Sequence, residues 1–233
     1  MSNNSKKILI IPAAGIGSRM QLEIPKQYLK LKNNLTILDN TLKSLLSSDF
    51  FDKVVISISK EDEYWQKSQY ANNNRVLVCH GGATRFESVM NALNHLNDAL
   101  DGSDWIFVHD AARPCINIDD VHNLYNQTKV SKHKCGILAT KAFETVKEVL
   151  IDTNITKTIN RENIWLAQTP QLATKKDLAN AFDFCISNKL TDKITDESSA
   201  LEMFGFSPIV VEGSRSNIKV TKQEDLEFVN FKL

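Results

Sequence analysis

Short apolar runs rich in β-branched residues recur at residues 7–11, 53–59, 75–79, 105–109 and 136–140, and stretches with a 3.6-residue apolar period stand between them. That alternation is the strongest constraint on the chain. Parallel strands need a crossover long enough to return to the same edge of the sheet, and an amphipathic helix supplies it. Ile37, Leu38, Thr41, Leu42, Leu45 and Leu46 keep the helical period, as do Ile118, Val121, Leu124 and Tyr125. Val89, Leu93 and Leu96 do so behind Thr84-Arg85-Phe86-Glu87, the spacing of a capping box. The expected fold class is therefore α/β: a mostly parallel, twisted sheet with helices on both faces, in a single domain over residues 1–233.

The pattern changes between residues 145 and 168, where apolar and polar residues alternate around Asp152-Thr153-Asn154. This is hairpin signal. A two-stranded hairpin is marginal alone, so an arm at about residues 141–166 must pack either on its own domain or on a partner subunit, and a dimerisation arm is the expectation. Residues 174–187 then read as a helix capped by Thr174, and 199–204 as another, with Thr195 as its N-cap. Residues 208–212 and 217–220 look strand-like, and 224–231 close as an amphipathic helix.

Charge is balanced, with 28 Lys and Arg against 28 Asp and Glu. No whole-molecule field draws the protein to nucleic acid or to an anionic membrane, so neither is expected as a partner. The first seven residues are polar, and the apolar run at 8–11 is far short of the roughly 18 residues of a membrane helix. A cytoplasmic protein is expected. The four cysteines, Cys79, Cys115, Cys135 and Cys185, form no CxxC pair and read as reduced and mostly buried.

Three segments sit where strands should end, the place at which open α/β sheets bind ligands. The first is Pro12-Ala13-Ala14-Gly15-Ile16-Gly17-Ser18-Arg19, followed by Pro25-Lys26-Gln27. Small residues let amides approach phosphate oxygens, and Arg19 and Lys26 add positive charge. A dinucleotide fingerprint would want glycine where Met20 stands, which weakens a nicotinamide reading. The second is Gly81-Gly82-Ala83-Thr84-Arg85, with Ser88 one turn into the helix; taken alone it is an ordinary turn with Arg85 solvated. The third is His109-Asp110-Ala111-Ala112-Arg113. There Asp110 is placed to face Mg²⁺, and Arg113 can clamp a phosphate bidentately, while His109 is expected to pack or hydrogen-bond. Arg161, Thr169, Thr195 and Lys219 lie in polar stretches that are individually unremarkable, and Lys219 alone would be a solvated surface lysine.

Pro-Ala-Ala-Gly-x-Gly-x-Arg-Met with Pro-Lys-Gln-Tyr-Leu, Gly-Gly-x-x-Arg-x-x-Ser-Val, His-Asp-Ala-Ala-Arg-Pro, Gln-Thr-Pro-Gln, Thr-Asp-Glu-x-Ser-Ala and Asn-Ile-Lys-Val-Thr follow one another in that order. Together they closely resemble the 2-C-methyl-D-erythritol 4-phosphate cytidylyltransferases, from residue 8 to about 226. The resemblance implies a Rossmann-like nucleotidyltransferase domain, a homodimer with exchanged β-arms, and Mg²⁺-dependent transfer of CMP from CTP to a polyol phosphate. It implies that Pro12, Ala13, Ala14, Gly15, Gly17, Gly81, Gly82, Arg85, Ser88, Asp110 and Ala111 surround CTP. Arg19 and Lys26 would bind its triphosphate and act catalytically with Lys219. Asp110 would face metal and substrate. Arg113, Thr145, Arg161, Thr169, Thr195 and Lys219 would surround the acceptor, with Thr145 and Arg161 reaching in from the partner's arm. The ribitol 5-phosphate cytidylyltransferases share most of these motifs, but more often have Val where Ala112 stands.

The chemistry is consistent with the residues. A phosphate monoester has a second pKa near 6 and is largely ionised at neutral pH, so the attacking group needs no general base. The demand is to hold two anions in line and neutralise charge growing on the α-phosphate.

Overall fold

The computed structural model describes residues 5–15, 24–151 and 153–233. A seven-stranded sheet forms the centre, in the order β3-β2-β1-β4-β8-β5-β9. The strands are β1 Lys7–Pro12, β2 Lys53–Ile58, β3 Val76–His80, β4 Trp105–Val108, β5 Cys135–Lys141, β8 Trp165–Thr174 and β9 Ile209–Glu212. β1, β2, β3 and β4 run parallel, so Pro12, Ile58, His80 and Val108 end at one edge. β8 runs antiparallel to both β4 and β5, and β9 is parallel to β5.

The helices are α1 Ile37–Leu45, α2 Arg85–His95, α3 Ile118–Thr128, α4 Lys175–Ser187, α5 Glu197–Met203 and α6 Gln223–Lys232. Strand side chains point alternately to the two faces. Leu9 and Ile11 therefore join the cluster under α1 and α3, with Leu38, Leu42, Phe107, Val121 and Leu124. Ile8 and Ile10 join the opposite cluster with Val89, Leu93, Leu178, Phe182 and Leu201 of α2, α4 and α5. A smaller cluster of Leu31, Ile37, Ala112, Cys115, Val220 and Val229 holds α6 and the segment before it against the turn after β4. The capping box at Thr84 and Glu87 forms as its spacing predicts. Cys115, Cys135 and Cys185 are buried and Cys79 half-buried, all four with free thiols.

Three expectations need correction. The hairpin strands are β6 Val146–Val149 and β7 Ile155–Ile159, and the chain beyond them, from Trp165, enters the central sheet as β8. Pro170 and the polar Gln168, Thr169 and Gln171 hide that strand from an apolar pattern. They also explain its shape: Ile137 faces Gln171 and Ala139 faces Ala167, so three residues of β8 oppose the single Leu138. Such a bulge tolerates a residue without an N–H and re-aims its neighbours. Second, α5 is capped by Asp196, not Thr195: the Asp196 side chain accepts from the Ser199 N–H. Third, residues 217–220 form no strand. They run extended beside the β4 turn, where the Val220 N–H donates to the Ala112 carbonyl at 2.8 Å.

Candidate active site

A cavity of about 580 Å³ opens at the strand ends. It is lined by Pro12, Ala13, Ala14 and Gly15 after β1, Lys26 and Gln27, the Gly82–Arg85 turn and Ser88, Asp110 to Ala112 after β4, and Lys219 with Thr221. Gly17 and Arg19 lie outside the described residues.

One wall of the cavity is made of backbone held in place by buried polar side chains. Gln27, 4% exposed, donates through Nε2 to the carbonyls of Ala13 (2.7 Å) and Gly15 (3.2 Å). Ser88 Oγ accepts from the Gly82 N–H at 3.1 Å and donates to the Thr84 carbonyl at 2.9 Å. Gly81 does not line the cavity but fixes its curvature, because a Cβ there would come within 2.5 Å of Ala14 Cβ. At Gly82 a Cβ would meet Glu87 Cβ at 2.3 Å. Any side chain would push these turns apart. Lys26 stands on a short 3₁₀ turn, Lys26–Tyr28, and its Nζ donates to the Val220 carbonyl at 3.1 Å.

The opposite wall is a charge cluster around Asp110, 6% exposed. Its carboxylate accepts from Arg85 Nε (3.1 Å), Arg113 Nε (3.1 Å) and Lys219 Nζ (3.0 Å). Burial alone would raise the Asp110 pKa, but the facing Arg85, Lys219 and Arg113 charges outweigh it and hold the carboxyl well below the usual range. Arg85 spends the rest of its fork on Glu197, at 2.7 and 3.0 Å. The Glu197 and Asp110 charges raise its pKa further despite burial. Arg113 Nη1 donates to the Asn217 carbonyl at 2.7 Å, and Asn217 Nδ2 donates to the Thr169 carbonyl at 2.8 Å, which ties Lys219's segment to the β8 bulge.

Arg113 and Thr169 thus stand directly behind the cavity wall. Thr195 is exposed and lines an adjoining cavity of about 610 Å³ that shares Thr84 and Arg85 with the first. Thr145 and Arg161 are exposed at the foot of the arm and line neither cavity within this chain. Arg161 Nη1 donates to the Phe143 carbonyl.

The sequence reading gave no part to Gln27, Glu197, Asn217 or Thr221. Gln27 could have been suspected from its place beside Lys26, and Glu197 from the paired acids after Thr195. Asn217 and Thr221 stand at the two ends of the Asn-Ile-Lys-Val-Thr motif, which gave a role to Lys219 alone. Gln171 does the less visible work of seating Glu197: its Nε2 donates to Asp196 and its Oε1 accepts from the Ser198 N–H, both at 2.8 Å.

The residues present do not form a cage for a divalent cation. Among the described residues no three His, Cys, Asp or Glu side chains cluster as metal ligands. Asp110 already faces three positive groups, which a bare cation would have to displace or oppose. What the cavity suits is an anionic ligand, with the amine groups of Lys26 and Lys219 and the Arg85 guanidinium on its lining.

Residues 7–233 match the model of the family described as 2-C-methyl-D-erythritol 4-phosphate cytidylyltransferase. The enzyme of that name from Ruthia magnifica is 45% identical over 97% of this chain and 95% of its own length. That from Aliivibrio fischeri strain MJ11 is 40% identical over 96% and 92%. The crystal structure of the Francisella tularensis 2-C-methyl-D-erythritol 4-phosphate cytidylyltransferase superposes with a TM-score of 0.87 at 54% identity, covering 98% of this chain and 100% of that one.

Proposed function

The chain belongs to the 2-C-methyl-D-erythritol 4-phosphate cytidylyltransferase family, and from that premise we propose how its own residues carry the reaction. The enzyme transfers CMP from CTP to 2-C-methyl-D-erythritol 4-phosphate, giving 4-diphosphocytidyl-2-C-methyl-D-erythritol and pyrophosphate, a step of isoprenoid synthesis. The observation that carries the residue assignment is the convergence of Arg113 and Lys219 on Asp110, across the cavity from the Ala13–Gly15 and Gly82 turns.

CTP lies along the Pro12, Ala13, Ala14 and Gly15 turn, with the base against Gly81, Gly82 and Ser88 and the triphosphate towards Lys26 and Arg19. The acceptor lies towards Asp110, Arg113, Thr169, Thr195 and Lys219, its phosphate drawn by Arg113 and Lys219. The ionised acceptor phosphate forms a bond to the α-phosphorus of CTP, and the bond from that phosphorus to the bridging oxygen breaks, so the electron pair leaves with pyrophosphate. Lys26, Arg19 and Lys219 neutralise the charge spreading over the phosphoryl oxygens. His109 does not serve as a base, because both ring nitrogens are engaged within the fold.

A CTP-using enzyme is generally accompanied by a divalent metal. We take it to be Mg²⁺, which the triphosphate oxygens would carry and which would there help neutralise the phosphates. No described helix is long and apolar enough to cross a membrane, and we take the enzyme to act in the cytoplasm. The chain acts as a homodimer whose arms bring Thr145 and Arg161 to the partner's acceptor site. The support is the arm's solvent-facing Val149, Leu150, Ile151 and Ile155, between 52% and 105% exposed.

The test is pyrophosphate release with CTP and Mg²⁺, offering methylerythritol 4-phosphate and ribitol 5-phosphate separately. Release with the first alone is expected. Release with ribitol phosphate alone would move the enzyme to another acceptor.

A further inference from the structure

His109 follows β4 directly and has no exposed surface. Its Nε2 lies 3.2 Å from the Arg113 carbonyl oxygen, which has no hydrogen to give, so Nε2 carries the proton. Its Nδ1 lies 3.0 Å from Thr169 Oγ1. That hydroxyl oxygen already accepts the Asp110 N–H at 3.0 Å, leaving its own hydrogen to be donated to Nδ1. The two ends of the ring therefore require the same neutral tautomer. Burial reinforces it, bringing the imidazole pKa down to about 4 against the raising effect of Asp110.

The bonds close a ring through the turn: Asp110 N–H to Thr169, Thr169 O–H to His109, His109 N–H to the Arg113 carbonyl. Asp110 and Arg113 are the turn's two charged residues, and Thr169 sits in the β8 bulge. We propose that His109 is a positioning residue for the acceptor half of the site, fixing the Asp110–Arg113 turn and aiming the Thr169 hydroxyl hydrogen inward. This rests on the reading of Asp110, Arg113 and Thr169 as acceptor-facing. One chemical consequence follows for Thr169. With its hydrogen committed and one lone pair taken, it can accept from a hydroxyl of the polyol but cannot donate to a phosphate oxygen.

Two substitutions separate the ends of the ring. His109→Gln keeps an N–H near the Nε2 position, and His109→Asn keeps an acceptor near the Nδ1 position. Both are expected to raise the KM for methylerythritol 4-phosphate about tenfold and leave the KM for CTP within about twofold, since misplacement by a fraction of an ångström falls on the acceptor side. Imidazole ¹⁵N spectra of the wild-type protein at pH 7 should show, for the signal missing in His109→Gln, a neutral ring protonated on Nε2. Parallel rises in both KM values, or no change in either, would overturn the proposal. So would a ring protonated on Nδ1. If neither variant folds, the His109 ring is assigned by through-bond correlation to its own backbone in the wild-type protein, and its tautomer still decides. Wild-type enzyme that fails to turn over methylerythritol phosphate would defeat the functional reading, leaving the tautomer as the test of the geometry.

Discussion

The turn after β4 and the β6–β7 arm both carry residues assigned to the acceptor, and the chain builds them by opposite means. In the turn, Asp110 is buried, three cations converge on it, and the backbone is bonded to β8 and to the extended residues before α6. Thr41 of α1 adds a further tie, donating to the Ala111 carbonyl at 3.0 Å. In the arm, side chains that would form a core elsewhere face solvent, and the two strands pair with each other alone. Groups that must be placed to within tenths of an ångström stand on the rigid edge of a sheet. Groups that need only to arrive can ride on a hairpin, which in the proposed dimer would take its order from a second subunit.

The sharpest test of the rigid side is Lys26→Ala. It should lower kcat by about 10³-fold while raising the KM for CTP by less than about tenfold, because the lysine's charge matters most as the α-phosphate gains charge. Pyrophosphate release kinetics measure both, and equal losses would contradict a transition-state role.

The arm is tested by Arg161→Ala, expected to raise the acceptor KM about tenfold with little change for CTP. Co-expressing it with Lys26→Ala sharpens the contrast. If Arg161 works across the interface, each mixed dimer holds one intact site, and random pairing restores about a quarter of wild-type activity. If it works within its own chain, mixing restores nothing.

The smallest effect expected is on stability against pH. The His109 pKa is about 4 in the folded protein, below the roughly 6.5 of an exposed imidazole. Its stabilisation is therefore complete above about pH 6.5 and is lost as pH falls towards 4. Urea unfolding should show a loss of up to about 3 kcal/mol over that range, at about 1.4 kcal/mol per pH unit. His109→Gln should flatten the dependence, whereas Arg161→Ala should leave it unchanged. Asp110, held below the ordinary carboxylate range, adds its own loss only below about pH 4.

Much of this was legible in the sequence wherever burial is written as a period. The strands at residues 7–12 and 53–58 are continuous apolar runs, and α1 to α4 repeat apolar residues every third or fourth position. β8 was not legible, because its middle is Gln168-Thr169-Pro170-Gln171, buried through hydrogen bonds and a bulge and not through hydrocarbon. The cap of α5 was misplaced by one residue because Thr195 and Asp196 both make good N-caps, and only the side-chain geometry chooses. The small-residue turns that line the cavity were legible from their place after strands. The partners of Arg85 and Lys219 were not, since a single charge in a polar stretch looks the same whether it meets water or a buried carboxylate 3.0 Å away.

β8 also has a mechanical meaning. It is a strand of ten residues, paired with β5 on both sides of its bulge and, over its last four residues, with β4. It begins a few residues past the arm, and its bulge holds Thr169 against Asp110. It therefore behaves as a tie rod from the foot of the hairpin to the floor of the pocket, with only residues 160–164 between it and β7. In the dimer proposed above, a pull on the arm as two subunits seat against each other would be delivered to the Asp110 turn, and tightening at that turn would be felt at the arm. By reciprocity, a filled acceptor pocket would strengthen that dimer by the same factor with which the dimer strengthens the pocket.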